Sequence, residues 1–246
     1  MLGVFDFLQK LKKAKPIKLD GLDQFISLNK QMTIPFNYSV CMFFKQEQFI
    51  EEGCVFSMGS KSSFICLEID THGNLLLKYK DLSNKKTVTK SVGRVSKDLN
   101  KLVLLKKETQ IEIRLNDLKL TVDGDFVLMT DNPVIGMSPI TGRHFLKGEI
   151  HMFCLMGFVF SDEQINKITK PSFDFFKLGN KVQKACISWL KFQRTDCIRA
   201  QGGILDSGWF SNHATGGNLS LKDSDVEYVF CPSPVNNSLV MYSEQA

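Results

Sequence analysis

No stretch of the 246 residues reaches the roughly 18 consecutive apolar positions that a membrane-spanning helix requires, so no transmembrane segment is expected. A secretion signal is missing as well: in Met1 to Pro16 the lysines follow the apolar residues, and no small-residue cleavage site closes the stretch. Among seven cysteines (Cys41, Cys54, Cys66, Cys154, Cys186, Cys197 and Cys231) no pair has C-x-x-C spacing, which argues against a zinc knuckle or a dithiol redox motif. Their odd number and apolar neighbours point to buried free thiols and a reducing compartment. A G-x-S-x-G nucleophile turn is absent, and Gly202-Gly203 has no G-K-S/T downstream to cradle a phosphate. The four histidines, His72, His144, His151 and His213, form no i, i+4 metal pair and stand in unrelated contexts. No cofactor is expected, and catalysis is not indicated.

Strong charge of either sign is also lacking. The net charge of +5 is modest, and its denser patches, Lys10 to Lys18 and Lys85 to Lys107, carry no interleaved aromatics. A single-stranded nucleic-acid reader would stack bases on such aromatics, so these runs read as solvated faces and no nucleic-acid partner is expected.

What the chain does have is a succession of short apolar runs with period-two alternation. They are Gln24 to Leu28, Tyr38 to Lys45, Gly53 to Gly59, Ser63 to Asp70, Asn74 to Lys80, Thr87 to Val92, Leu102 to Lys106, Gln110 to Leu115, Lys119 to Val122 and Gly148 to Phe160. About ten strands without intervening helical patterns predict an antiparallel sandwich or barrel and exclude a parallel α/β sheet. Asp70-Thr-His-Gly-Asn74 supplies the Asx and glycine residues of a tight hairpin, and Asn116-Asp117 and Asp123-Gly124 do the same further on.

Helical signals lie at the edges of this region. Leu2, Phe5, Leu8 and Leu11 have helical spacing and predict an amphipathic arm over residues 1–16 that contacts a partner or its own domain, in preference to a membrane surface. Pro16 ends it. Ser161 is placed to cap a short helix, with Asp162 and Glu163 at its positive end and Ile165 and Ile168 on one face. Residues 171–246 carry a further strand at Ala185 to Leu190 and loops marked by Gly202-Gly203, Gly216-Gly217, Pro232 and Pro234, forming either a small lobe or extra strands.

Two phrases resemble the opening and closing elements of laminin G-like, concanavalin A-type jelly rolls. Asp20-Gly21-Leu22-Asp23-Gln24-Phe25-Ile26 followed by Tyr38 to Phe44 resembles the opening, and Phe145-Leu-Lys-Gly-Glu-Ile150 with Ser161-Asp-Glu-Gln-Ile165 resembles the close. The resemblance covers about residues 19 to 170 and implies an all-β, two-sheet antiparallel sandwich over 17–170. Leu205-Asp-Ser-Gly-Trp-Phe-Ser-Asn-His-Ala214 is similar, with departures at Trp209 and Phe210, to a phrase of laminin G-like proteins in tailed bacteriophage particles. It implies a non-enzymatic virion protein, assembled in a host cytoplasm and bound to other virion proteins or to copies of itself. A lectin-like module that binds cell-surface carbohydrate is the alternative, and a glycoside hydrolase the second.

The resemblance also nominates sites. Endoglucanases of this fold carry E-x-D-x-x-E; here Glu68-Ile-Asp70 matches its start, but the second acid would fall on Gly73, leaving no proton donor. Glu68 and Asp70 are therefore expected on the polar face of a hairpin strand. A rim calcium would draw on Asp123, Asp125 and Asp131, although acidic turn formers explain these equally and no metal is expected. For stacking on a sugar face the candidates are Trp209 and Phe210, with Tyr38 a further one, while Trp189 in an apolar run is expected in the core.

Overall fold

The computed structural model describes residues 16–28, 34–60, 62–81, 83, 85–124, 133–138, 140–170, 182, 184–190, 197–198, 203–204 and 214–217. The proposed arm with Leu2, Phe5, Leu8 and Leu11, the stacking candidates Trp209 and Phe210, the acids Asp125 and Asp131, and His213 lie outside these residues.

Two antiparallel sheets enclose the interior. The first is seven-stranded: β1 (Ile17–Asp20), β12 (Lys147–Met156), β3 (Tyr38–Gln46), β8 (Asn100–Lys107), β9 (Gln110–Leu115) and β10 (Leu118–Asp123) in that order, with β13 (Cys186–Leu190) also paired to β12. The second is nine-stranded and runs β14 (Cys197–Ile198), β15 (Gly203–Ile204), β16 (Ala214–Gly217), β2 (Phe25–Leu28), β11 (Val134–Ile135), β4 (Gly53–Ser60), β5 (Ser63–Ile69), β6 (Asn74–Asp81), β7 (Lys86–Arg94). The all-β jelly-roll sandwich is thus present. Beyond residue 170, β13 is hydrogen-bonded to β12 and β16 to β2, so these stretches extend the two sheets.

The core follows from alternation. In β9 the buried residues Ile111, Ile113 and Leu115 interleave with half-buried polar ones, and in β6 Leu75, Leu77 and Tyr79 interleave with half-buried Asn74, Leu76, Lys78 and Lys80. Facing residues of the two sheets, among them Ile26, Val40, Met42, Phe44, Phe56, Ile65, Leu67, Ile69, Leu104, Ile150 and Phe153, form one cluster between the layers. Tyr38, a stacking candidate by sequence, belongs to that cluster at 1% exposure and presents no face to a sugar. β3 and β5 are buried on both faces, because each sheet has a second cover.

Over the first sheet that cover is helix α1 (Asp162–Ile168), whose Ile165 and Ile168 pack with Phe160 onto Cys41, Phe43, Val103, Leu105, Met152 and Cys154. The closing strand stops at Met156, short of the Phe160 expected from its apolar run: Ser39 Oγ, donating to Phe158 O and accepting from Phe160 N, turns the chain away from the sheet. Ser161 then closes a capping box with Gln164, each side chain meeting the other's backbone N–H. Asp162 reaches Arg114 at 2.6 Å and ties the helix to β9.

Two glycines have structural work of their own. Gly73 takes φ +82° in the Asp70–Asn74 hairpin, where Asp70 accepts from the amides of His72 and Asn74. Gly148 sits where β12 crosses β3 so closely that a Cβ would lie 2.1 Å from Lys45 O. Edge strand β7 is exposed except at Val88, Val92 and Gly93 and bears Lys86 and Lys90, which discourages pairing with another sheet.

Candidate functional site

The cover over the outer face of the second sheet is formed by residues 136–138 and 140–146. It is pinned to β4 by Gly136 N donating to Val55 O (3.3 Å), Cys54 N to His144 O (2.8 Å) and Ser57 Oγ to Met137 O (2.9 Å). Beneath it lie Cys54, Phe64 and Cys66, with Ile140 packed against them. Two neighbouring features arise where this segment meets the β3–β4 loop.

The first is a polar cluster. Glu68, expected on an exposed polar face, points outward from β5 but is covered, its side chain only 3% exposed. Its Oε2 lies 2.5 Å from Lys78 Nζ and 3.3 Å from His144 Nδ1. His144 Nδ1 is also 3.3 Å from Glu52 Oε2, and Lys78 Nζ is 3.9 Å from that oxygen. Glu68 Oε1 accepts from the Cys66 thiol at 3.3 Å. Burial by itself would push the Glu68 carboxyl up, but the Lys78 ammonium, aided by Ser138 and Cys66, outweighs it and holds the acid below the usual glutamate range. The same pair lifts Lys78 against its own desolvation. Sequence reading had placed His144 in an isolated context; the fold brings it beside Glu52 and Glu68, and nothing local in the chain signals this.

The second feature is a cleft of about 180 Å³ lined by Asp20, Gly21, Leu22, Gln46, Gln48, Ile50, Glu51, Phe145 and Lys147. Leu22 and Ile50 are exposed apolar residues on its walls. Gln46 is almost fully buried; its Nε2 donates to Gln48 O at 2.6 Å, while its Oε1 has no partner. Lys147 donates to Gln48 Oε1 at 3.3 Å. The cleft is therefore built from both phrases that carry the family resemblance, the Asp20–Gln24 turn and the Phe145–Ile150 stretch. An acceptor without a partner at such depth costs free energy unless something donates to it.

A larger, open groove of about 660 Å³ lies beside the first turn of α1, among Pro35, Phe36, Asn37, Lys107, Phe158 and Gln164. Its polar groups serve the fold: Asn37 accepts from Glu108 N, and Ser161 and Gln164 form the capping box. Among the described residues, the other sequence candidates do not gather into a site. Asp70 is an Asx turn residue bonded to Asn74, Asp123 accepts from Gln110 Nε2, and His151 pairs with Glu149 at 3.1 Å. The backbone of Trp189 pairs with Cys154 in β13, and its side chain is outside the described residues.

No protein-family model matches the chain, and no curated protein matches it in sequence. Similar solved structures exist. The Ruminococcus gnavus IT-sialidase CBM40 bound to α2,3-sialyllactose is 15% identical, with 62% of this chain and 95% of that one covered at TM-score 0.50. A carbohydrate-binding protein from Bacteroides ovatus, so described provisionally, is 12% identical over 84% of this chain and 60% of that one, at TM-score 0.56. A variant of the NanB sialidase from Streptococcus pneumoniae is 15% identical over 63% of this chain and 27% of that one, at TM-score 0.51. At this level of identity the likeness concerns the fold alone. The chain has the fold of an antiparallel, two-sheet jelly-roll sandwich of the concanavalin A type.

Proposed function

We propose that this chain is a carbohydrate-binding domain, and that glycans dock at the cleft between the Asp20–Gln24 turn, the β3–β4 loop and Phe145–Lys147. The observation that carries the reading is the composition of this cleft, in which Leu22, Ile50 and Phe145 stand beside the polar Asp20, Gln48, Glu51 and Lys147. Sugar hydroxyls match such polar groups, while the apolar walls suit the C–H faces of a pyranose. Lys147 and Gln48 add donors at the rim. Solved structures of the same fold that are described as carbohydrate-binding modules support this reading over the virion role, and none of those named above is a viral protein.

The reading is non-catalytic. Glu52 and Glu68 bring carboxylate oxygens within 4.8 Å of each other, near the spacing of a retaining glycosidase pair. A proton donor there needs a raised pKa, whereas Glu68 is held down by Lys78 and sealed beneath the 136–146 segment. This favours binding without bond cleavage.

The direct check is a glycan array followed by calorimetric titration of the intact chain with α2,3-sialyllactose, α2,6-sialyllactose and neutral oligosaccharides. Saturable binding that weakens about tenfold or more in Gln48→Ala and Lys147→Ala is expected. Absence of binding at millimolar sugar, or binding unaffected by both substitutions, overturns the assignment.

A further inference from the structure

We propose that Glu52, Glu68 and His144 form a binding site for a divalent transition-metal ion of the zinc class. The three side chains come from the β3–β4 loop, β5 and the 136–146 segment, and their ligand atoms all lie within 4.8 Å of one another. A tetrahedral ion bound by imidazole nitrogen and carboxylate oxygen at about 2.0–2.2 Å needs donor atoms roughly 3.3–3.6 Å apart. His144 Nδ1 is 3.3 Å from both Glu68 Oε2 and Glu52 Oε2, so two of the three edges already have that length. A small movement of the exposed Glu52 side chain closes the third, and water fills the fourth position.

Three further observations favour a cation here. Two carboxylates face a single ammonium and an imidazole, which leaves the group with one net negative charge when the imidazole is uncharged. The other oxygen of Glu68 is held by the Cys66 thiol, and Ser138 also bonds this carboxylate, so Oε2 stays turned toward His144, as outer-shell partners do at metal sites. Lys78 Nζ, 2.5 Å from Glu68 Oε2 and 3.9 Å from Glu52 Oε2, stands where a cation bridging the two acids would sit. Its side chain is 23% exposed, so the ammonium can swing into water when an ion takes its place. Lys78 is the ion's competitor, not its ligand.

The test uses the intact chain and Co²⁺ as a spectroscopic probe, with Zn²⁺ competition to obtain affinities. One equivalent should give the d–d absorption of nitrogen and oxygen ligation without a thiolate charge-transfer band. His144→Ala should weaken binding tenfold or more; Glu52→Ala, at an exposed position that leaves the fold intact, should do the same. Lys78→Met should tighten it about tenfold by removing the competing ammonium. A thiolate band, binding that both alanine variants leave unchanged, or no binding at millimolar metal each overturns the proposal. None of these outcomes bears on glycan binding at the neighbouring cleft, so the two readings fail separately.

Discussion

Glu68 and Lys78 are diagonal neighbours across the β5–β6 ladder, with Lys78 opposite Cys66 and its ammonium 2.5 Å from the Glu68 carboxylate. One partner is almost wholly covered and the other reaches water. Removing the lysine strands a charge in a poorly hydrated place, where its desolvation is no longer offset. Lys78→Met should lower the unfolding free energy by about 1–3 kcal/mol in urea titrations, and the double variant with Glu68→Gln should recover part of the loss. Additive single effects would show the pair is not coupled.

Helix α1 depends on its first turn. Ser161→Ala removes an acceptor for the Gln164 amide and undoes the reciprocal bond, for an expected cost of about 1 kcal/mol. Since Ile165 and Ile168 cover the outer face of the first sheet, hydrogen exchange should quicken in β3 and β8 beneath them as well as in the helix.

Gly148 and Gly142 make a contrasting pair. At Gly148 the obstacle is packing: a Cβ would strike Lys45 O, so Gly148→Ala should destabilise by about 1–3 kcal/mol or more. At Gly142 nothing lies within 4 Å, and only the φ of +61° opposes a side chain. Gly142→Ala should cost about 1–2 kcal/mol. Thermal melts of both variants order the two effects.

Acid should loosen the contact between α1 and β9. Burial alone would raise the Glu112 carboxyl, but Lys119 and Arg114 outweigh it and hold it below its usual value; Asp162 is lowered by the Arg114 guanidinium. A carboxyl depressed in the folded state stabilises it above the unfolded pKa, and that contribution fades as pH falls below about 4.3 through the folded value. Unfolding free energies between pH 6 and pH 3 should therefore drop, and Arg114→Leu should flatten the slope.

Thiol chemistry gives a further check. Cys41, Cys54, Cys66, Cys154 and Cys186 are buried and form no disulfide, as their apolar surroundings in the sequence suggested. Burial pushes the Cys41 thiol up to about 12, and Cys66 is raised too, first by its bond with Cys54 and then by desolvation. Alkylation at pH 8 followed by mass spectrometry should leave all five unlabelled until denaturant is added.

The strands were legible where apolar and polar residues alternate in step with burial, as in Gln110 to Leu115, and where short apolar runs stand between turn residues, as in Leu75 to Leu77. Five short strands left less trace: Ile17–Asp20, Val134–Ile135, Cys197–Ile198, Gly203–Ile204 and Ala214–Gly217 are too brief for a periodic signal, and Gly203, Gly216 and Gly217, which read as loop markers, lie in strands. The helix at Asp162–Ile168 was visible in its cap. What alternation could not reveal was the second cover on each sheet. A carboxylate such as Glu68 reads as solvent-facing from its neighbours, and only the return of residues 136–146, some seventy positions later, closes over it. The association of Glu52, Glu68 and His144 is likewise set by topology, as is the cleft floor at Gln46. Tyr38 was misread because an aromatic at a strand start looks the same whether it lines a rim or fills a core.

The most direct measurement is amide chemical-shift mapping of the labelled chain titrated with the tightest-binding glycan from the array. Shifts concentrated in residues 20–24, 46–51 and 145–147 are expected. Shifts confined to the Phe36–Gln164 groove, or none at saturating sugar, would contradict the assignment of this domain as a carbohydrate binder at that cleft.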